Sequence, residues 1–137
     1  MRRGRDAAGR PVPLGSPDVV EPVPEVSRPP EEALRLAQEL LDAGRPFFAH
    51  DVLEQAWKDA PPAEKELWQG LAQVCVGLTH VQRGNPAGAA RLLRRGAGRL
   101  AGAAPAHGVD PDPVASWAAA AADQVDAGAA PGPLRLR

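Results

Sequence analysis

Three short breaks divide the middle of this chain: Gly44-Arg45-Pro46, Pro61-Pro62 and Gly84-Asn85-Pro86. Between them, apolar residues recur at three- and four-residue spacing, the period of an α-helix. Glycine suits the position just past a helix end, and proline suits the first turn of the next helix. Connections this short make successive helices antiparallel neighbours. No stretch alternates apolar and polar residues as a half-buried strand would.

The first helix is predicted over 30–43, with Glu31 and Glu32 at the positive end of its dipole and Ala33, Leu34, Ala37, Leu40 and Leu41 as its apolar stripe. The second is predicted over 46–60, and the third from Pro61-Pro62 to about residue 83. A fourth opens at Pro86 behind Asn85 as N-cap; Ala89, Leu92, Leu93 and Leu100 point inward. A weaker fifth is predicted over 113–127 behind Asp112, docking mainly through Trp117. The fold class is all-α: a compact antiparallel bundle of four to five helices with a disordered N-terminal arm. The boundaries are a Pro-rich arm at 1–29, a bundle at 30–103, a linker at 104–112, the accessory helix at 113–127 and a flexible tail at 128–137. Seven of the 16 prolines lie between Pro11 and Pro30, and the arm shows no periodicity.

Composition narrows the function. A net charge of −1 and a pI near 6.3 argue against a general nucleic-acid or membrane-surface binder. No apolar run is long enough for a membrane span. The lone Cys75 forbids an internal disulfide and fits a reducing cytoplasm. Arginines at 2, 3, 5 and 10 lack a following apolar segment, so a secretory signal is not expected. A small molecule, a protein partner or a second copy of the chain are all open as partners.

The chemistry-bearing stretch runs from Phe47 to Trp57. At about 100° per residue, Glu54 lies roughly 40° from His50, and Trp57 lies roughly 20° to the other side. A titratable pair beside an aromatic wall describes a small polar site, and equally a well-packed helix edge. The third helix carries an apolar arc of Leu67, Leu71, Val74, Leu78 and Val81, flanked by Trp68 and Cys75. Its opposite arc holds Glu66, Gln69, Gly70, Gln73, Gly77 and His80. Each helical glycine costs about 1 kcal/mol relative to alanine, so Gly70 and Gly77 imply close approach of another helix or a ligand. The second and third helices are expected to meet across a polar seam, with His50 and Glu54 facing Gln69, Gln73 and His80.

Three segments carry a family resemblance: Phe47-Phe48-Ala49-His50-Asp51-Val52-Leu53-Glu54-Gln55-Ala56-Trp57, Leu67-Trp68-Gln69-Gly70-Leu71-Ala72-Gln73 and His80-Val81-Gln82-Arg83-Gly84-Asn85. Together they resemble the signature of the DUF309 family of unknown function, over roughly residues 33–101. The resemblance implies a small all-helical bacterial or archaeal protein and marks His50, Glu54 and Trp57. Some members carry a label suggesting a metal-dependent hydrolase. Two positions depart from the pattern: Trp68 replaces a smaller aromatic or aliphatic residue, and Thr79 replaces a common tyrosine. Any role of that phenol would be absent here.

Two readings follow. In the first, His50, Glu54 and His80 form a two-histidine, one-carboxylate ligand set suited to zinc, manganese or iron. Gln69, Gln73 and Arg83 orient groups around it, and Trp57 forms its wall. Asp51, roughly 100° from His50, would have to reach around the helix. The same pair could instead perform acid–base chemistry, with Glu54 fixing the imidazole tautomer. No nucleophile accompanies it: Cys75 flanks an apolar face, and Ser16, Ser27 and Ser116 fall outside the matched region. His107 lies in a Pro/Gly-rich loop. In the second reading the chain is a non-enzymatic interaction or structural module, with His50–Glu54 a helix-edge bond. Arg91, Arg94, Arg95 and Arg99 then form either a solvated face or a contact for an acidic partner.

Overall fold

The computed structural model describes residues 3–137. Its elements are β1 (Arg3–Arg5), β2 (Pro11–Pro13), α1 (Pro30–Asp42), α2 (Pro46–Asp59), α3 (Lys65–Gln82), α4 (Pro86–Ala101) and α5 (Pro111–Asp126), with a 3-10 turn at Pro62–Glu64 before α3. Each helix packs on its sequence neighbour, and α3 also touches α5. The core runs the length of the bundle. Trp68, Leu34, Leu53, Leu67, Leu71, Leu93 and Leu100 are its largest fully buried helical side chains.

The helix ends fall where the local chemistry places them. Asn85 accepts a hydrogen bond from the Gly88 amide at 3.1 Å. Gly44 and Gly84 take positive φ angles of 71° and 75°. There the amides of Arg45 and Asn85 reach back to the carbonyls of Leu40 and His80. This is the Schellman arrangement, in which a left-handed residue turns the chain out of the helix. The fifth helix starts two residues before its expected position, because Asp110 rather than Asp112 is the cap; Asp110 accepts from the Asp112 amide at 3.1 Å.

The packing departs from the sequence expectation in four places. The segment expected to be a disordered arm forms an antiparallel hairpin, with Arg3 opposite Pro13 and Arg5 opposite Pro11. Its turn seats Ala8 and Gly9 against the bundle: Arg83 Nε donates to the Ala8 carbonyl at 3.0 Å, and the guanidinium groups of Arg5 and Arg83 lie 5.2 and 5.5 Å from the Phe47 ring centre. A Cβ on Gly9 would lie 2.2 Å from that ring, so only glycine fits. Second, α5 docks through small residues. Ala115, Ala118, Ala121 and Ala122 are buried with Val114 and Val125, while Trp117 is half-buried. Third, Trp68, expected at the flank of the α3 apolar arc, is fully buried, 1% exposed. Fourth, the segment expected to be a flexible tail buries Leu134 and Leu136.

The small-residue positions on α3 have a counterpart on α4. A Cβ on Gly70 would come within 2.7 Å of Leu100, one on Gly77 within 2.8 Å of Leu93, and one on Gly96 within 2.8 Å of Val74. Close helix approach offsets the propensity cost of these glycines. The approaching helix is α4, so the glycines do not belong to the polar seam with α2.

Candidate functional site

The site is built on α2. Phe48, Ala49, Val52, Leu53 and Ala56 are buried, which turns His50, Asp51, Glu54 and Trp57 toward the edges of that helix. His50 Nε2 lies 3.0 Å from a carboxylate oxygen of Glu54, and His50 Nδ1 lies 3.4 Å from one of Asp51. Nδ1 is buried and has no hydrogen-bond partner: the Asp51 oxygen is near it but poorly aligned for a bond. His50, Asp51 and Glu54 can each present one ligand atom, all within 4.8 Å of one another. Among the described residues this is the one such group of three metal-binding side chains.

A cavity of about 170 Å³ adjoins the group between α2 and α3, lined by His50, Glu54, Trp57, Gln69, Ala72, Gln73 and Val76. Trp57, Ala72 and Val76 make an apolar wall, and Gln69 and Gln73 complete the lining. The outer side of Asp51 and Glu54 faces a second cavity of about 130 Å³, bounded by Val23, Glu25, Arg28 and Lys58 among others. The segment after the hairpin therefore shapes the approach to these carboxylates.

Of the residues expected at the seam, His50, Glu54, Trp57, Gln69 and Gln73 come together. His80 does not join them. Its Nδ1 sits 3.1 Å from the Asn85 side-chain amide at the α3–α4 corner. A helix rises about 1.5 Å per residue, so His80 stands about 6 Å along α3 beyond Val76. Asp51 takes the place given to His80 in the expected ligand set, since a neighbouring side chain can fold back toward His50. Arg83 is engaged with the hairpin turn. Gly70 and Gly77 face α4. On the basic side of α4, Arg99 binds Glu66 at 2.9 Å and Gln73 at 3.3 Å, and Arg94 binds Asp123 and Asp126 at 2.9 and 2.6 Å. Half of that face is thus spent on ion pairs within the bundle.

A second polar cluster escaped the sequence reading. Glu64 accepts from the buried Trp68 Nε1 at 3.1 Å and lies 2.8 Å from His107 Nε2. The Trp68 hydrogen bond, with a smaller contribution from His107, holds the Glu64 carboxyl below its ordinary pKa although burial opposes it. Glu64 and His107 are 43 residues apart in sequence, and no local pattern announces such a contact. Cys75 is fully buried on α3, and burial pushes its thiol up to about 12, which leaves no thiolate for nucleophilic or ligand chemistry.

The fold and the residues on α2 define a small helical-bundle protein with a polar edge on its second helix. Residues 34–92 match the family described as "Domain of unknown function (DUF309)". It is similar to the "Uncharacterized protein YpuF" of Bacillus subtilis (strain 168), 46% identical over 48 residues. The match spans 34% of this chain and 28% of that protein. No solved structure matches. No described helix is long and apolar enough to cross a membrane.

Proposed function

We propose that His50, Asp51 and Glu54 bind a divalent cation beside the α2–α3 cavity, where a small ligand is held. Two observations carry this reading: the Nδ1 of His50 is buried without a partner, and His50, Asp51 and Glu54 can each offer one ligand atom within 4.8 Å of the others. A buried polar atom without a partner is costly, and a ligand there removes the cost. One imidazole nitrogen with two carboxylates suits zinc, manganese or iron and leaves coordination positions open. A cation so bound supplies Lewis acidity and an acidified water, the basis of hydrolase-like chemistry. Trp57 and Val76 would exclude water on one side of the ligand, and Gln69 and Gln73 would hydrogen-bond it.

Elemental analysis of purified protein tests the proposal, followed by titration with zinc, manganese and ferrous iron. Close to one equivalent of metal is expected in the native chain and none in His50→Ala. A metal held at about 100 times its Kd adds about 2.7 kcal/mol of stability, so the melting temperature should rise with added metal in the native chain only. No bound metal and no rise for any of the three ions would leave His50–Glu54 as a helix-edge bond.

A further inference from the structure

Residues 130–137 make no backbone–backbone hydrogen bond with the rest of the described chain, yet Leu134 and Leu136 are 5% and 1% exposed. What holds them is the surface of α1. The Gln38 side chain binds the main chain twice: its Nε2 donates to the Leu134 carbonyl at 2.9 Å, and its Oε1 accepts from the Leu136 amide at 2.8 Å. Asp42 accepts from the same Gln38 amide at 2.9 Å and so orients it. The two arginines point outward, Arg135 to Asp42 at 3.4 Å and Arg137 to Glu31 at 2.7 Å, and Arg137 also donates to the His107 carbonyl at 3.0 Å.

This is how a groove reads an extended peptide: main-chain bonds set the register and alternate side chains fill the surface below. The connection from α5 is Ala-Gly-Ala-Ala-Pro-Gly-Pro, which packs little and lets the segment act as a tethered ligand. A cavity of about 310 Å³ remains beside it, lined by Leu34, Arg35, Gln38, Glu39 and Asp42 with the segment itself. We propose that the α1 groove is a binding site for an extended basic segment of a partner protein, with leucines at alternate positions and arginines between them. The chain's own Leu134-Arg135-Leu136-Arg137 occupies it as a displaceable ligand. The proposal is independent of any metal at His50.

The test uses an amidated, fluorescein-labelled peptide of residues 131–137, titrated against the full chain and the full chain carrying Leu134→Asp with Leu136→Asp. The variant binds the peptide. The native chain binds at least about tenfold more weakly, because a tethered competitor acts at millimolar effective concentration. Adding Gln38→Ala to the variant weakens binding at least about tenfold, with folding checked by circular dichroism. A second measurement needs no variant: millimolar peptide added to ¹⁵N-labelled native chain moves the Leu134 and Leu136 amide resonances to random-coil positions. No binding by the folded variant, or unmoved resonances in the native chain, overturns the proposal. So does an exchanged dimer of the chain whose segment no peptide displaces.

Discussion

Glu64 shows how one side chain ties distant parts of the fold together. Its carboxylate receives the only polar group of a buried tryptophan and the imidazole of a loop residue held at a φ of 52°. Its pKa in the folded chain is depressed, first by the Trp68 bond, so the folded state binds fewer protons than the unfolded state. The resulting stabilisation is present above the unfolded value of about 4.3 and is lost as pH falls through the folded value. The melting temperature should therefore fall on acidification through this window, and fall less in Glu64→Gln; thermal melts across the acid range check both. An equal acid response in the two chains would remove Glu64 from this role. His50 and Glu54 were legible at this scale because four-residue spacing on a helix brings side chains together by itself. Glu64–His107 was not legible, since only a loop closing over the bundle brings them together.

At the scale of elements, the α3–α4 contact rests on where side chains are absent. A Cβ at residue 96 would meet Val74 at 2.8 Å and the backbone oxygen of Gly70 at 3.1 Å, whereas one at residue 98 meets nothing within 4 Å. Backbone cannot step aside cheaply, so Gly96→Ala should destabilise by about 1–3 kcal/mol despite better helix propensity. Gly98→Ala has the propensity gain alone and should stabilise by up to about 1 kcal/mol. Chemical denaturation of the two single variants measures the pair, and equal shifts would show that the helices do not pack through Gly96. The sequence marked glycines on α3 as sites of close approach. It did not say which helix approaches, because a stripe on one helix carries no label for its partner. For α5 the expected anchor was Trp117, yet the buried face is mostly alanine, and small residues are what allow two helices to lie close enough to bury them.

For the whole molecule, the two ends of the described chain wrap the bundle at different places, the hairpin at Phe47 and residues 134–137 on α1. Arg83 is the main polar link to the hairpin turn, through the Ala8 carbonyl and the Phe47 face. Arg83→Ala should release the hairpin and raise the rate of tryptic cleavage at the Arg5–Asp6 bond several-fold. The bundle's melting temperature should change little, since the core lies elsewhere. Unchanged cleavage would mean that the Gly9–Phe47 contact holds the hairpin unaided.

The sequence by itself determined the helices, their order, most of their ends and the polar edge of α2. These depend on interactions within a few residues: periodicity, caps, proline and glycine. Only the tertiary structure decided which edges meet. It brought Asp51 rather than His80 to His50, turned Gly70 and Gly77 toward α4, and docked segments with no periodicity of their own. Such segments are ordered by surfaces distant in sequence, and a local pattern carries no information about a surface that forms only when the helices pack.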